Sequence, residues 1–211
     1  MEKKSKAKHI YLALIAILGW FALALQFYLI IQNRVVSIPE TIVRYFSFFT
    51  LLTNLLVALY CSFILLRPYS QAAKFFSRPG VATAITVYIL IVGIVYNTVL
   101  RYLWHPAGLQ LIADELLHSV IPLMFLLYWL FFVVKGKLNW NTFPWLLYPL
   151  FYFIWILIFG AITSFYPYPF IDVTKLGYNK VILHSGILTI AFLILSLLFV
   201  AIDKIMKPTT K

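Results

Sequence analysis

Acidic residues are scarce in this chain. Six Asp and Glu stand against 17 Lys and Arg, and charged residues of both signs make up only 11% of the 211 positions. Long polar stretches are missing as well, and a soluble domain of this length has too little interior to hide a composition that is 64% hydrophobic. A soluble globular class is therefore excluded and an integral membrane class follows. The lone cysteine, Cys61, excludes an internal disulfide, and its apolar surroundings mark it as a packed thiol. No GxSxG elbow, no HExxH pair and no Walker glycine loop occurs, so the chemistries that rest on those motifs lack their usual support. No sequence echo relates the first half of the chain to the second, which argues against an inverted-repeat transporter.

What is present is a series of uncharged runs: 9–33, 45–66, 79–100, 116–134, 138–171 and 181–202. Each reaches the ~18–20 residues that carry a helix across a ~30 Å hydrocarbon core. The expected fold is all-α, a polytopic bundle of six transmembrane helices in a single domain over 1–211, with spans at about 10–32, 44–66, 81–102, 115–134, 144–164 and 181–203. The fifth run is too long for one span, and the proline-rich stretch after 164 turns its end into a loop. The first run is long and has no small-residue cleavage pattern, so it reads as a helix rather than a signal peptide.

Lys and Arg set the expected orientation. The N-terminal arm (Lys3, Lys4, Lys6, Lys8), the second-to-third connection (Arg67, Lys74, Arg78), the fourth-to-fifth (Lys135, Lys137) and the tail (Lys204, Lys207, Lys211) hold 12 cations. The other side holds 5, namely Arg34, Arg44, Arg101, Lys175 and Lys180. Both termini are thus expected in the cytoplasm, with the chain in the cell membrane. The net charge of +11 reads as a topology signal with some contact to anionic headgroups. Membrane lipids are the expected partners. Nucleic acid is not, because the basic residues are split among short segments of one membrane face.

Polar side chains gather toward the outer leaflet. With the second span entering near Tyr45, the ~1.5 Å helical rise puts Thr50 roughly 8 Å down and Asn54 roughly 14 Å. Thr50, Thr53 and Asn54 share one helix face at i, i+3 and i+4, as Asn97 and Arg101 do on the third span and Asp114 and His118 on the fourth. His184 starts the sixth span from the same side. Such groups are expensive in a membrane and normally point inward, to partners or to water. Four helices doing so at similar depth predict an outward-opening polar pocket. Each residue also has a plainer role: Thr bonding back to its own helix, Asn gluing helices, Arg101 snorkelling to headgroups. Pro122 cannot donate to the carbonyl of His118, four residues back, so a loosened helix with a free carbonyl is expected there. His105, Asp114, His118, Asp172 and His184 have no spacing that demands a metal, and neither metal nor cofactor is expected. The stretch FYPYPFIDV at 165–173 is either an interfacial aromatic belt with rigid turns or a lid over the pocket, tipped by Asp172.

FFTLLTN in the second span, YNTVLRYLW ending the third, LLHSVIP in the fourth and YPYPFIDV before the sixth occur here in that order. Together they resemble a microbial family of six-span integral membrane proteins with a proline-rich signature and no firmly assigned activity. More remotely the chain is similar to the androgen-induced and androgen-dependent membrane proteins of animals, hydrolases of fatty acid esters of hydroxy fatty acids that use a threonine nucleophile and a histidine. By motif, that threonine falls on Thr50, the histidine on His118, and the Tyr-Pro-Phe loop on Tyr168, Pro169 and Phe170. The animal proteins carry an acidic residue just past the threonine, where this chain has Thr53 and Asn54.

The resemblance implies a lipid-ester hydrolase of the outer leaflet, without a cofactor. A threonine hydroxyl needs an adjacent base, and His118 titrates in a suitable range. In that scheme Arg101 clamps a substrate carboxylate, Asn54 or Asn97 donates to the oxyanion, Asp114 or Asp172 orients the histidine, and Thr53 and His184 support. The rival readings are a transporter or lipid-binding protein that does not react, and a structural membrane partner whose polar faces are helix glue.

Overall fold

The computed structural model describes residues 2–207, with side chains from Lys6 onward. Of the cations that set the orientation, the side chains of Lys3 and Lys4 and the whole of Lys211 lie outside the described part. The described residues form no strand. They form helices α1 (Glu2–Gln32), α2 (Ile38–Phe46), α3 (Phe49–Leu66), α4 (Gln71–Phe76), α5 (Pro79–Thr98), α6 (Gly108–Glu115), α7 (Ile121–Phe132), α8 (Phe143–Thr163) and α9 (Val173–Ile205). A 3-10 turn, Leu100–Tyr102, extends α5, and a π-turn, Leu116–Val120, welds α6 to α7. Six stretches are long and apolar enough to cross a membrane: Lys6–Gln32, Phe49–Leu66, Pro79–Tyr102, Gly108–Phe132, Phe143–Thr163 and Val173–Ile205.

The core lies among α1, α3, α5 and α7, where Leu12, Val57, Ile89, Phe125 and Trp129 are fully buried beside the Cys61 thiol. The aromatic polar tips inside it find partners, as most buried polar groups do. The Trp129 indole donates to Thr83 Oγ1 at 2.8 Å, and the Tyr60 and Tyr128 hydroxyls meet at 3.1 Å. Outward faces are the reverse of a soluble protein's. Phe151, Ile154, Ile158, Ile187 and Ile194 of α8 and α9 are exposed. Hydrocarbon tolerates such a surface and water does not.

Three span boundaries differ from expectation, each for a local reason. The second span is not one helix from 44. Ser37 and Pro39 start a separate α2, the Ser47 hydroxyl turns back onto the Val43 carbonyl at 2.8 Å, and Phe48 is extended (φ −85°, ψ 122°). Thr50 is consequently the second residue of α3 rather than a position well down a continuous helix. The fourth span begins at Gly108, whose left-handed φ of 58° lets the chain turn into α6, so Asp114 and Glu115 sit inside the span. The sixth begins at Val173. The Asp172 carboxylate caps it by accepting from the Thr174 N–H at 3.1 Å and the Thr174 hydroxyl at 2.5 Å, and Gly177 (φ 73°) interrupts it.

The end of the bundle where α1 starts and α9 finishes, here called the base, is tied by charge. Buried Asp203 accepts the backbone N–H groups of Gly136 (2.9 Å) and Leu138 (3.0 Å), and the Lys204 ammonium bonds the Leu138 carbonyl. Lys135 folds back over the Trp129 ring and donates to the Trp129 and Val133 carbonyls at 2.5 and 2.7 Å, satisfying the last turn of α7. The opposite end, the top, carries the polar cluster.

Candidate functional site

The π-turn organises the top. Ile121 donates its N–H to Leu116, one residue further back than α-helical geometry asks, which leaves the Leu117 carbonyl without its helical donor. Pro122 has no N–H for His118, four residues back. Two adjacent carbonyls are thus released, and an asparagine from each of two other helices takes one. Asn54 of α3 donates to Leu117 at 3.1 Å and Asn97 of α5 to His118 at 3.3 Å. The second N–H of each amide goes to its own helix, to Thr50 (2.9 Å) and Gly93 (2.8 Å). The free carbonyl expected at His118 exists, and the tertiary structure supplies its donor. In this arrangement neither amide keeps an N–H for an oxyanion.

Gly93 makes the approach possible. A Cβ there would lie 3.0 Å from the His118 carbonyl oxygen and 3.2 Å from Pro122 Cβ, closer than ordinary packing permits. The His118 ring stacks on Tyr96, one turn on, with centroids 3.9 Å apart and planes 14° from parallel. Its Nδ1 lies 2.9 Å from the Asp114 main-chain carbonyl. A carbonyl only accepts, so Nδ1 carries the hydrogen and Nε2 of the neutral ring keeps its lone pair. The Asp114 group that meets the ring is thus its main-chain carbonyl and not its carboxylate. That carboxylate is buried and accepts from Trp104 (2.9 Å), Gln110 (2.9 Å) and Tyr96 (3.4 Å), and Gln110 reaches on to Gln26 of α1.

Two cavities meet beside these groups. The larger, about 930 Å³, opens at the top and holds Thr50, Asp114 and His118 together with Arg34, Arg44 and Tyr168. The smaller, about 320 Å³, is walled by apolar side chains such as Ile91, Leu146, Phe153 and Phe192. Thr50, Leu100 and Tyr168 border both. Thr50 and His118 share a cavity, but each makes its hydrogen bond elsewhere. The Tyr168 hydroxyl lies 3.2 Å from Thr50 Oγ1 and accepts the Thr50 backbone N–H at 3.1 Å. It thereby caps α3, whose N-cap residue Phe48 has no oxygen to offer. Burial raises the Tyr168 hydroxyl above the ordinary phenol range, so it keeps its proton at neutral pH.

The other expected site residues line neither cavity. Thr53 meets the Tyr148 hydroxyl at 3.3 Å, and His184 Nδ1 meets the Phe170 carbonyl at 3.0 Å. Asp172 caps α9 and pairs with Lys175 at 3.2 Å, so it tips no lid over the cavity. Arg101 pairs with Glu115 at 2.5 Å and lies over the Tyr96 ring, so a protein carboxylate already occupies the clamp expected for substrate. The cavity's guanidinium groups are those of Arg34 and Arg44, which sequence reasoning counted only as topology charges. Arg44 packs over the Phe165 ring, 4.4 Å from its centroid, and pairs with Glu40 at 2.7 Å. Among the described residues no three of His, Cys, Asp and Glu gather as a metal site. No family model, no curated protein and no solved structure matches the chain.

Proposed function

We propose that this chain is a multi-pass protein of the cell membrane with both termini cytoplasmic, and that its outward-facing cavity hydrolyses lipid esters of the hydroxy-fatty-acid type with Thr50 as nucleophile and His118 as base. The charge asymmetry between connections supports the orientation. The observation that carries the chemistry is Thr50 standing where an apolar cleft meets a larger, more polar cavity that also holds His118. An amphiphile lying across that junction puts a chain in the cleft, a polar end near Arg34 and Arg44, and its ester at Thr50. The motif resemblance points to the same two residues.

In the reaction, Thr50 Oγ attacks the ester carbonyl carbon while its proton passes to the free lone pair on His118 Nε2, through a bridging water across the cavity. The carbonyl π pair moves onto oxygen. Collapse of the tetrahedral intermediate breaks the bond to the alkoxy oxygen, and the hydroxy product leaves with the proton from His118. Water, deprotonated by His118, then attacks the acyl carbon, the bond from that carbon to Thr50 Oγ1 breaks, and Oγ1 takes the proton back from His118 as the acid leaves.

The test is hydrolysis of a long-chain ester by purified protein in micelles, comparing wild type with Thr50→Ala and His118→Ala. Loss of turnover in both, with folding retained, is expected. Turnover unchanged in both variants sinks the assignment. One observation favours a second reading, in which the cavity binds an anionic amphiphile without reaction: Thr50 Oγ1 is tied to Tyr168. Ligand binding or uptake into proteoliposomes that survives Thr50→Ala, with no hydrolysis by wild type, selects it. A purely structural role predicts neither binding nor turnover.

A further inference from the structure

Ester hydrolysis at Thr50 requires donors for the developing oxyanion, and the two amides that looked suited to it are spent on Leu117 and His118. We propose that the oxyanion site is formed by the backbone N–H of Thr50 and the hydroxyl of Tyr168, which makes Tyr168 a catalytic residue. The inference rests on the hydrolase reading above.

Three features of the geometry carry it. The Tyr168 hydroxyl oxygen lies 3.1 Å from the Thr50 nitrogen and 3.2 Å from Thr50 Oγ1. A substrate carbonyl oxygen under attack needs a place about 3 Å from its donors and close to the nucleophile. In the free protein a neutral oxygen of the protein's own fills that place. Next, Thr50 is the second residue of an 18-residue helix, so its N–H is an unpaired helical donor pointing along the positive end of the dipole. Nucleophile and first oxyanion donor are then one residue, and the break at Ser47–Phe48 is what puts the helix start there. Finally, Tyr168 borders both cavities on the loop between α8 and α9, and its ring is held by Phe170, stacked at 5.3 Å, and by Phe48, edge-on at 5.9 Å, which keeps the hydroxyl at their junction.

When the carbonyl oxygen takes the Thr50 N–H, the Tyr168 hydroxyl retreats by about one hydrogen-bond length and donates to it. The hydroxyl changes from acceptor at the helix start to donor at the oxyanion. No bond to Tyr168 forms and no proton leaves it. Its retained proton, noted above, suits a donor. The exchange also gives Tyr168 a resting role, since it shields the α3 start from water until an ester arrives.

The experiment separates these roles with Tyr168→Phe in the full-length protein. Expected are a kcat about 100-fold lower with KM nearly unchanged, and weaker binding of a long-chain trifluoromethyl ketone by the same factor as kcat/KM. Binding of the unreactive ether analogue of the ester stays at wild-type strength. Tyr148→Phe, which removes a hydroxyl bonded to Thr53 and not to Thr50, keeps wild-type turnover. Should Tyr168→Phe not fold, ring-fluorinated tyrosines at 168 preserve the shape and alter the hydroxyl's acidity, and kcat tracks that acidity while KM holds. A wild-type kcat in folded Tyr168→Phe, equal losses for ketone and ether, or a kcat indifferent to fluorination overturns the proposal. Turnover that depends on Thr50 but not on Tyr168 overturns this inference alone. Absence of any Thr50-dependent turnover overturns the hydrolase reading and this inference with it.

Discussion

Replacing Asn54 and Asn97 with leucine tests the released carbonyls of the π-turn. Stranding a buried carbonyl costs about 1–3 kcal/mol. Asn54 Oδ1 is itself buried without a partner, so deleting the amide returns part of that cost. Interhelical hydrogen bonds in membranes are worth about 0.6–2 kcal/mol, and the net for Asn54→Leu comes to about 1–2 kcal/mol. Asn97 is half-buried and its bond is longer, 3.3 Å, so Asn97→Leu is expected to cost less. The decisive comparison uses Pro122→Ala. That change supplies an N–H to one of the two carbonyls, so in its background the summed cost of the two leucine variants falls by about half, as expected of residues sharing one network. The assay is reversible unfolding in mixed micelles titrated with a denaturing detergent, read as a mutant cycle. Should Asn54→Leu prove neutral, or the summed cost be the same with proline and alanine at 122, the asparagines are not there for those carbonyls.

Two further predictions concern charge at the helix ends. Asp203→Ala strands the Leu138 N–H at the base and leaves Gly136 only its main-chain bond to the residue-203 carbonyl, 3.1 Å, so it is expected to destabilise by about 1–3 kcal/mol, seen as a lower unfolding midpoint, whereas the exposed Lys175→Ala costs under about 0.5 kcal/mol. Burial works against ionisation of Asp172, but hydrogen bonds from Thr174 and Lys175 and the Lys175 charge outweigh it and hold its carboxyl below the usual range. The cap's contribution is therefore complete above about pH 4 and lost as pH falls through the lower folded value, and Asp172→Asn flattens that acid limb in a stability-versus-pH series.

The legible part of the site was its composition. Asn54 stood out as an amide in an apolar run, and Pro122 announced a carbonyl in need of a donor at His118. Asn54 was not legible as the partner of the neighbouring Leu117, because the π-turn that frees that carbonyl depends on how three helices pack. Arg101 illustrates the same limit in reverse. Its helical spacing from Asn97 suggested a shared inward face, but the 3-10 turn at its position swings it to Glu115, and Arg44 takes the place on the cavity.

By itself the sequence determined the class and the number of spans, because crossing a membrane is a local requirement: ~20 apolar residues in a row satisfy it whatever their neighbours do. It also determined where polar groups interrupt those runs. Only the tertiary structure decided what the interruptions touch. Thr50, His118 and Tyr168 come from three distant segments, and no local rule brings a loop hydroxyl to the first turn of a helix that the chain begins only because Phe48 is extended. Hydrogen-bond partners are chosen by packing, since a buried donor takes whichever acceptor the neighbouring helix presents at ~3 Å.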